Sequence, residues 1–256
     1  MLDLKGKKAL IVGVANERSL AWGIARELHR AGAELGFNFL GDALERRVRP
    51  LAESVNAAII EPCNVADDKQ IENLFAKVKE KWGHLDFLIH SVAFANREDL
   101  EGRFVNTSRE GFRVAMDISA YSLVAMAKHA EPLMEGRGGS ILTLSYYGAE
   151  KVIPNYNVMG VAKAALEACV RYLAYDMGSK KIRVNAISAG PVKTLAAAGI
   201  RDFRTMLAAA EEKTPLHENI TAEDVGALGA FLCGPGGKHI TGSTLYVDSG
   251  AHIMGG

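Results

Sequence analysis

Short apolar runs alternate along this chain with longer stretches in which apolar positions recur every three or four residues. Segments 9–12, 35–39, 58–61, 87–90, 140–144, 184–187 and 244–247 are nearly continuous in apolar residues, the pattern of strands covered on both faces. Segments 20–31, 44–54, 67–82, 110–133, 158–177 and 222–232 read as amphipathic helices. Such alternation predicts an α/β fold, a seven-stranded parallel sheet with helices on both faces. Right-handed crossovers make it doubly wound, and ligands of doubly wound sheets bind outside the carboxyl ends of the strands. No internal repeat, low-complexity run or linker divides the pattern, so one domain over 1–256 is expected.

Composition narrows the field by exclusion. The 256 residues suit one α/β domain. Thirty basic residues balance thirty acidic ones, so no global field attracts nucleic acid. No basic patch or aromatic platform for RNA stands out either. Cys63, Cys169 and Cys233 lie far apart without CxxC or Cys/His ligand spacing, so no metal site is expected and small buried thiols are. The start, Met1-Leu2-Asp3-Leu4-Lys5-Gly6-Lys7-Lys8, has no signal-peptide core, and no segment is long enough to span a bilayer. A soluble, cytoplasmic protein with no membrane partner is the expectation.

The first strand runs into Gly13-Val14-Ala15-Asn16-Glu17-Arg18-Ser19-Leu20-Ala21-Trp22-Gly23. A G-x-G-x-x-G fingerprint is absent. Gly13 still stands where the chain must turn sharply, Ser19 can cap the next helix, and Gly23 can let that helix approach the sheet. A helix N-terminus there is a site for a pyrophosphate. The loop alone fits an ordinary βα connection equally well. At the end of the second strand, Asn38-Phe39-Leu40-Gly41-Asp42 offers no basic residue for a 2′-phosphate, which favours NADH over NADPH. Arg46 and Arg47 come later and read as solvated helix charges. After the third strand, Asn64 can meet an adenine edge or make an Asx turn before the helix at Asp67.

The segment Ser145-Tyr146-Tyr147-Gly148-Ala149-Glu150-Lys151-Val152-Ile153-Pro154-Asn155-Tyr156-Asn157-Val158-Met159-Gly160-Val161-Ala162-Lys163-Ala164 follows an apolar strand and opens a helix. Tyr156 and Lys163 are a heptad apart, which returns to within about 20° of the same helix face. A phenol and an ammonium can therefore converge on one pocket. Gly160, Ala162, Ala164 and Ala165 let that face approach a ligand or another helix. A buried Tyr with a satisfied hydroxyl and a surface Lys is the alternative for an isolated pair. Its place after this strand, in this fold, favours function.

These motifs resemble the enoyl-acyl-carrier-protein reductases, a divergent branch of the short-chain dehydrogenase/reductases with a Rossmann-like fold. Tyr-x6-Lys is met by Tyr156 and Lys163, whereas Tyr-x-x-x-Lys of the ordinary branch fails because position 160 is Gly. Gly-x5-Ser-[Ile/Leu]-Ala-x-Gly is met by Gly13, Ser19, Leu20, Ala21 and Gly23, and Leu144-Ser145-Tyr146 matches the second tyrosine. Val184-Asn185-Ala186-Ile187-Ser188-Ala189-Gly190-Pro191 is similar to a further block, and the likeness continues to Val247-Asp248-Ser249-Gly250.

The resemblance implies NADH-dependent reduction of the trans-2 double bond of a carrier-bound fatty enoyl thioester. This is the last reductive step of type II fatty acid elongation. It implies that Tyr156 stabilises the enolate at the thioester carbonyl, that Lys163 binds the nicotinamide ribose, and that Tyr146 lines the acyl pocket. Gly13, Ser19 and Leu20 would cradle the pyrophosphate. Leu40, where NADH-using relatives often carry a polar residue, would be a further cofactor contact. Asn64 and Val65 would bind adenine, Ser91, Val92 and Ala93 would pass beneath the adenosine and ribose, and Val192 and Thr194 would meet the carboxamide. Ala95 would lie at the substrate mouth. Asp117, where ordinary relatives place a catalytic Asn, is expected to be structural or part of a water relay. The family also implies a homotetramer. The alternative enzyme is a ketoacyl reductase or another short-chain dehydrogenase; a nucleotide-sensing module would be expected to lose Tyr156 or Lys163.

The run Thr194-Leu195-Ala196-Ala197-Ala198-Gly199-Ile200-Arg201-Asp202-Phe203-Arg204-Thr205-Met206-Leu207 is apolar, small and helix-prone. A substrate lid around 194–210, with Ala196 and Met206 against the acyl chain, is expected; an ordinary surface helix is the alternative. Arg201 and Arg204 share a helical face and suit docking of an acidic acyl carrier protein.

Overall fold

The computed structural model describes residues 2–192, 194, 207 and 211–255. Seven strands form one parallel sheet in the order β3-β2-β1-β4-β5-β6-β7. They are β1 (Lys8–Val12), β2 (Glu34–Phe39), β3 (Ile59–Pro62), β4 (Phe87–His90), β5 (Gly139–Ser145), β6 (Ile182–Ala189) and β7 (Thr244–Val247). The helices are α1 (Leu20–Arg30), α2 (Gly41–Ser54), α3 (Asp68–Trp82), α4 (Arg97–Leu100), α5 (Arg109–Met116), α6 (Ser122–Met134), α7 (Asn157–Gly178) and α8 (Ala222–Cys233). Every predicted strand is present, with ends moved by at most two residues. The doubly wound expectation holds, and the order reverses between β1 and β4, where such folds open their ligand crevice.

The continuous apolar runs have a simple cause. Side chains of a strand alternate between faces, and both faces here are covered. Leu10 and Val12 of β1 join a core with residues of α3 and α6, while Ala9 and Ile11 join the opposite core with residues of α1, α2 and α8. Helix α3 starts at Asp67, whose carboxylate accepts from the backbone N–H of Lys69 and Gln70, and stops at Gly83 with φ 72°. A capping box of Thr221 and Asp224 starts α8.

Two expectations are corrected. Gly23 serves a helix–helix contact, not an approach to the sheet: a Cβ there would sit 2.0 Å from the Ala222 carbonyl oxygen at the start of α8. The helix expected over 110–133 is divided by a wider π-type turn at Asp117–Tyr121. Such turns gather at functional sites. Here the turn lets the Ser119 hydroxyl bond both the N–H and the carbonyl of Phe94, at 3.0 and 3.1 Å. Asp117 itself faces Arg113 at 4.0 Å, in keeping with a structural role.

His90 closes β4 and is fully buried. The Ser122 hydroxyl donates to the Ile118 carbonyl at 2.7 Å. It therefore accepts from Nε2–H of His90 at 2.8 Å, and Nδ1 accepts from the Thr143 hydroxyl at 3.0 Å. This neutral tautomer pins β4 to β5 and α6. Burial, assisted by the charge of Lys163, pushes the imidazole down to about 3. The unfolded chain takes up a proton near pH 6.5, and the folded chain does not until about 3. The stabilisation is thus complete above pH 6.5 and is lost as pH falls towards 3, by up to about 1.4 kcal/mol per pH unit. Urea unfolding of the wild type and His90→Asn at neutral and mildly acidic pH should show the gap between their midpoints narrowing as pH falls. Parallel curves would remove His90 from the acid response.

Candidate active site

The carboxyl ends of β1 and β4 approach each other through Gly13. Its φ is 98°, and a Cβ there would lie 2.2 Å from the Ser91 carbonyl oxygen and 3.1 Å from Val92 Cγ2. Only glycine allows the chain to leave β1 along this path. Asn38, which the motif reading passed over, gathers three strand ends: its Oδ1 accepts from Gly13 N–H at 3.0 Å and its Nδ2 donates to the Cys63 carbonyl at 3.1 Å. An asparagine inside an otherwise apolar strand was the signal for it.

The loop after Gly13 is tied by Ser19. Contrary to the capping expectation, the Ser19 hydroxyl does not bond the first turn of α1; it accepts from Ala15 and Asn16 N–H at 3.0 and 3.2 Å. The N-terminus of α1, beginning at Leu20, keeps no side-chain cap and no acidic residue in its first turn. That leaves a positive pole suited to an anionic group. Leu40 is exposed between β2 and α2, with Arg46 and Arg47 exposed on the following helix. Asn64 makes the Asx turn, accepting from Ala66 N–H at 3.1 Å, while Val65 is buried. Ser91 donates its N–H to Val12 at 2.8 Å, and Ala93 is exposed two residues further on.

Tyr156 stands just before α7 and not on it, with φ −108° and ψ −31°. Asn155 and Asn157 on either side have φ 61° and 39°, left-handed positions that asparagine tolerates better than most residues. These reversals turn the tyrosine inward. Its ring meets Tyr146 edge-on, with centroids 5.0 Å apart. It also packs with Ala95, Leu100 and Met116 against buried Ala115, Val158, Met159 and Ala162. Burial, and then the neighbouring Tyr146, hold the hydroxyl far above the usual phenol range, so it is a neutral hydrogen-bond donor at any physiological pH.

Lys163 is buried at the same strand end, and its Nζ donates to the Leu144 carbonyl at 2.6 Å. Burial pulls its ammonium down to about 8, and Glu167 opposes the pull. The structure therefore gathers Tyr146, Tyr156 and Lys163 around the end of β5. Gly160 explains the spacing between the last two. A Cβ there would come within 2.8 Å of the Gly148 carbonyl oxygen, so no lysine fits one turn after Tyr156, and the next buried position on this face is Lys163.

A cleft of about 860 Å³ is lined by Glu17 and Arg18 before α1 and by Pro191, Val192, Leu207, Asn219 and Ile220. Thr194 donates its N–H to the Val192 carbonyl at 2.7 Å. Tyr156 lines a different groove of about 400 Å³, with Phe104, Ile153, Gly160 and Val161. Ala196, Arg201, Arg204 and Met206, and the expected lid apart from Thr194 and Leu207, lie outside the described residues. Among the described residues no His/Cys/Asp/Glu group could hold a metal, and no helix is long and apolar enough to cross a membrane.

A parallel sheet that opens at its switch point, with an uncapped helix pole on one side and a neutral phenol and a buried ammonium at the end of β5 on the other, defines a dinucleotide-dependent oxidoreductase of the short-chain type. The sequence matches the enoyl-(acyl carrier protein) reductase family over residues 13–252, and the chain belongs to that family. It is 53% identical to the NADH enoyl-[acyl-carrier-protein] reductase FabI of Aquifex aeolicus, over 98% of this chain and 93% of the relative. The enoyl-acyl carrier protein reductase of Bacillus cereus, solved with NADP+ and an indole naphthyridinone, superposes with a TM-score of 0.97 at 50% identity, covering 100% of both chains. The corresponding reductase of Anaplasma phagocytophilum, solved with NAD, gives 0.95 at 51%, covering 99% of this chain and 96% of that one.

The close approach at Gly13 is open to test. Gly13→Ala should lose about 1–3 kcal/mol of stability and weaken dinucleotide binding. Gly6→Ala, also at positive φ but with nothing within 4 Å, should cost less and leave binding unchanged. Equal losses in thermal melts and titrations of both variants would dismiss the steric argument.

Proposed function

We propose that Tyr156 and Lys163 carry the reaction of this NADH-dependent enoyl-acyl-carrier-protein reductase, which reduces the trans-2 double bond of a fatty enoyl thioester. The observation that carries the assignment is the convergence of a neutral, half-buried phenol and a buried ammonium on the end of β5. NADH, when bound, supplies the hydride that reaches the β-carbon. Negative charge then moves to the thioester oxygen, and the Tyr156 hydroxyl donates to that oxygen as the charge develops. Lys163 holds the nicotinamide ribose hydroxyls and adds positive charge beside the enolate. Tyr146 supports the Tyr156 ring edge-on and, with Ala95, shapes the acyl entrance.

The cofactor would lie across the switch point. Gly13, Ser19 and Leu20 would sit at the pyrophosphate, Asn64 and Val65 at adenine, Leu40 beside the adenosine, Ser91, Val92 and Ala93 beneath the ribose, and Val192 and Thr194 at the carboxamide. The uncapped α1 pole and the cradle at Gly13 fit such a ligand. One domain spans 1–256 in this reading, and residues around 194–210 cover the acyl chain through Ala196 and Met206. The protein works in the cytoplasm as a homotetramer. An outward face of α7 with Val161, Tyr172 and Tyr175 exposed supports self-association.

Tyr156→Phe should lower kcat on a crotonyl thioester by about 10²–10³-fold and leave NADH affinity nearly unchanged, whereas Lys163→Ala should weaken NADH binding. Steady-state rates with an NADH titration check both, and a lysine variant that binds NADH as the parent does would refute its role. Arg201→Glu with Arg204→Glu should raise KM for carrier-bound substrate and spare short coenzyme A thioesters. Equal effects on the two substrates would exclude these residues as the docking pair.

A further inference from the structure

Glu167 is buried one turn beyond Lys163 on α7, and the reduction described above leaves it without a task. Its carboxylate accepts a hydrogen bond from the hydroxyl of buried Ser145. Lys163 meanwhile takes the carbonyl of Leu144. Two side chains one helical turn apart thus grip consecutive residues of β5, and the next residue in the chain is Tyr146. A carboxylate is costly to bury, and a neutral residue could fill the same space. The charge therefore calls for a reason beyond packing.

The surroundings supply one. An ammonium buried as Lys163 is loses its proton readily, and the opposing charge beside it is Glu167. From β4, His90 faces Lys163 but stays neutral above about pH 3. Tyr156 is a neutral phenol. Burial, the largest influence on Glu167, holds its carboxyl above the usual carboxylate range, and the hydrogen bond from Ser145 opposes that rise. Glu150, after β5, repels its charge, and Arg171, a turn further along α7, attracts it. From β7 the Tyr246 hydroxyl donates to Glu150.

We propose that Glu167 is a positioning residue for the reduction: its carboxylate fixes the strand end that carries Tyr146 and keeps Lys163 in the ammonium form that grips the ribose. The inference rests on the reading of Lys163 as the ribose anchor, and the experiment separates the two. NADH affinity of the full-length protein is measured by fluorescence titration from neutral to alkaline pH. In the wild type, affinity falls as pH rises through about 8, where Lys163 loses its proton. Glu167→Gln keeps the shape and removes the charge; it should move this alkaline limb down by about one pH unit. Glu167→Asp, which restores the charge, should return it most of the way. Ser145→Ala leaves both charged groups in place but loosens the strand end and removes one hydrogen bond that favours the Glu167 carboxylate, so it should lower kcat and move the limb much less than Glu167→Gln does. An unmoved limb in Glu167→Gln, with the limb abolished in Lys163→Ala, would overturn the role of Glu167 and keep that of the lysine. A Lys163→Ala protein that binds NADH with the wild-type limb would overturn the lysine reading itself. A shift in Ser145→Ala as large as in Glu167→Gln would show that strand position, and not charge, sets the limb, and would also overturn the proposal.

Discussion

An ammonium held beneath the end of β5, bonded to the Leu144 carbonyl and shielded from water, is the interaction on which the rest of the site depends. Removing such a charge from water costs several kcal/mol unless hydrogen bonds and an opposing charge replace the lost hydration. The fold meets that need with a strand terminus and a carboxylate. Parallel strands end in carbonyls that point past the sheet, and Leu144 offers one of them to Lys163. On one face of the same strand, Ser145 then reaches Glu167 of α7 and Thr143 reaches His90 of β4.

This arrangement divides the two protonating groups by environment. The phenol of Tyr156 lies among Ala95, Met116, Val158 and Met159, where ionisation has no support. The amine of Lys163 sits where a carboxylate and a carbonyl face it. A neutral donor set against Tyr146 and a cation set on Leu144 flank the same strand end, which suits a reaction in which negative charge appears on oxygen and must be met at once.

How much of this was legible in the sequence depends on the kind of interaction. The strands were, because burial on both faces leaves an unbroken apolar run. The Tyr156–Lys163 pair was legible as a motif, but the reason read for it, a shared helix face, was not the fold's: Tyr156 precedes α7 and is turned by the left-handed Asn155 and Asn157 on either side of it. The π-type turn at Asp117–Tyr121 was not, because the helical period runs through it and the distortion is set by Ser119 reaching Phe94 on another element. Ser19 was read as a cap on sequence position, yet its hydroxyl turns back onto Ala15 and Asn16, a choice made by the loop's own path. Gly23 was read against the sheet, and its partner, Ala222, lies 199 positions away in sequence, where no local pattern reaches.

Gly160 joins the two kinds of information. In the sequence it is only the absence of a lysine at the ordinary spacing. In the fold it is a contact: the carbonyl of Gly148 occupies the space that any side chain at position 160 would need. The turn at Tyr147–Ala149 is itself held from the far end of the chain, through the Tyr147 hydroxyl and the His252 carbonyl at 3.0 Å. Pressing that turn against α7 excludes a lysine near the start of the helix and leaves the buried cation to enter further along. There it meets the carbonyl end of β5. The longer tyrosine–lysine spacing is therefore the consequence of how closely one turn approaches one helix.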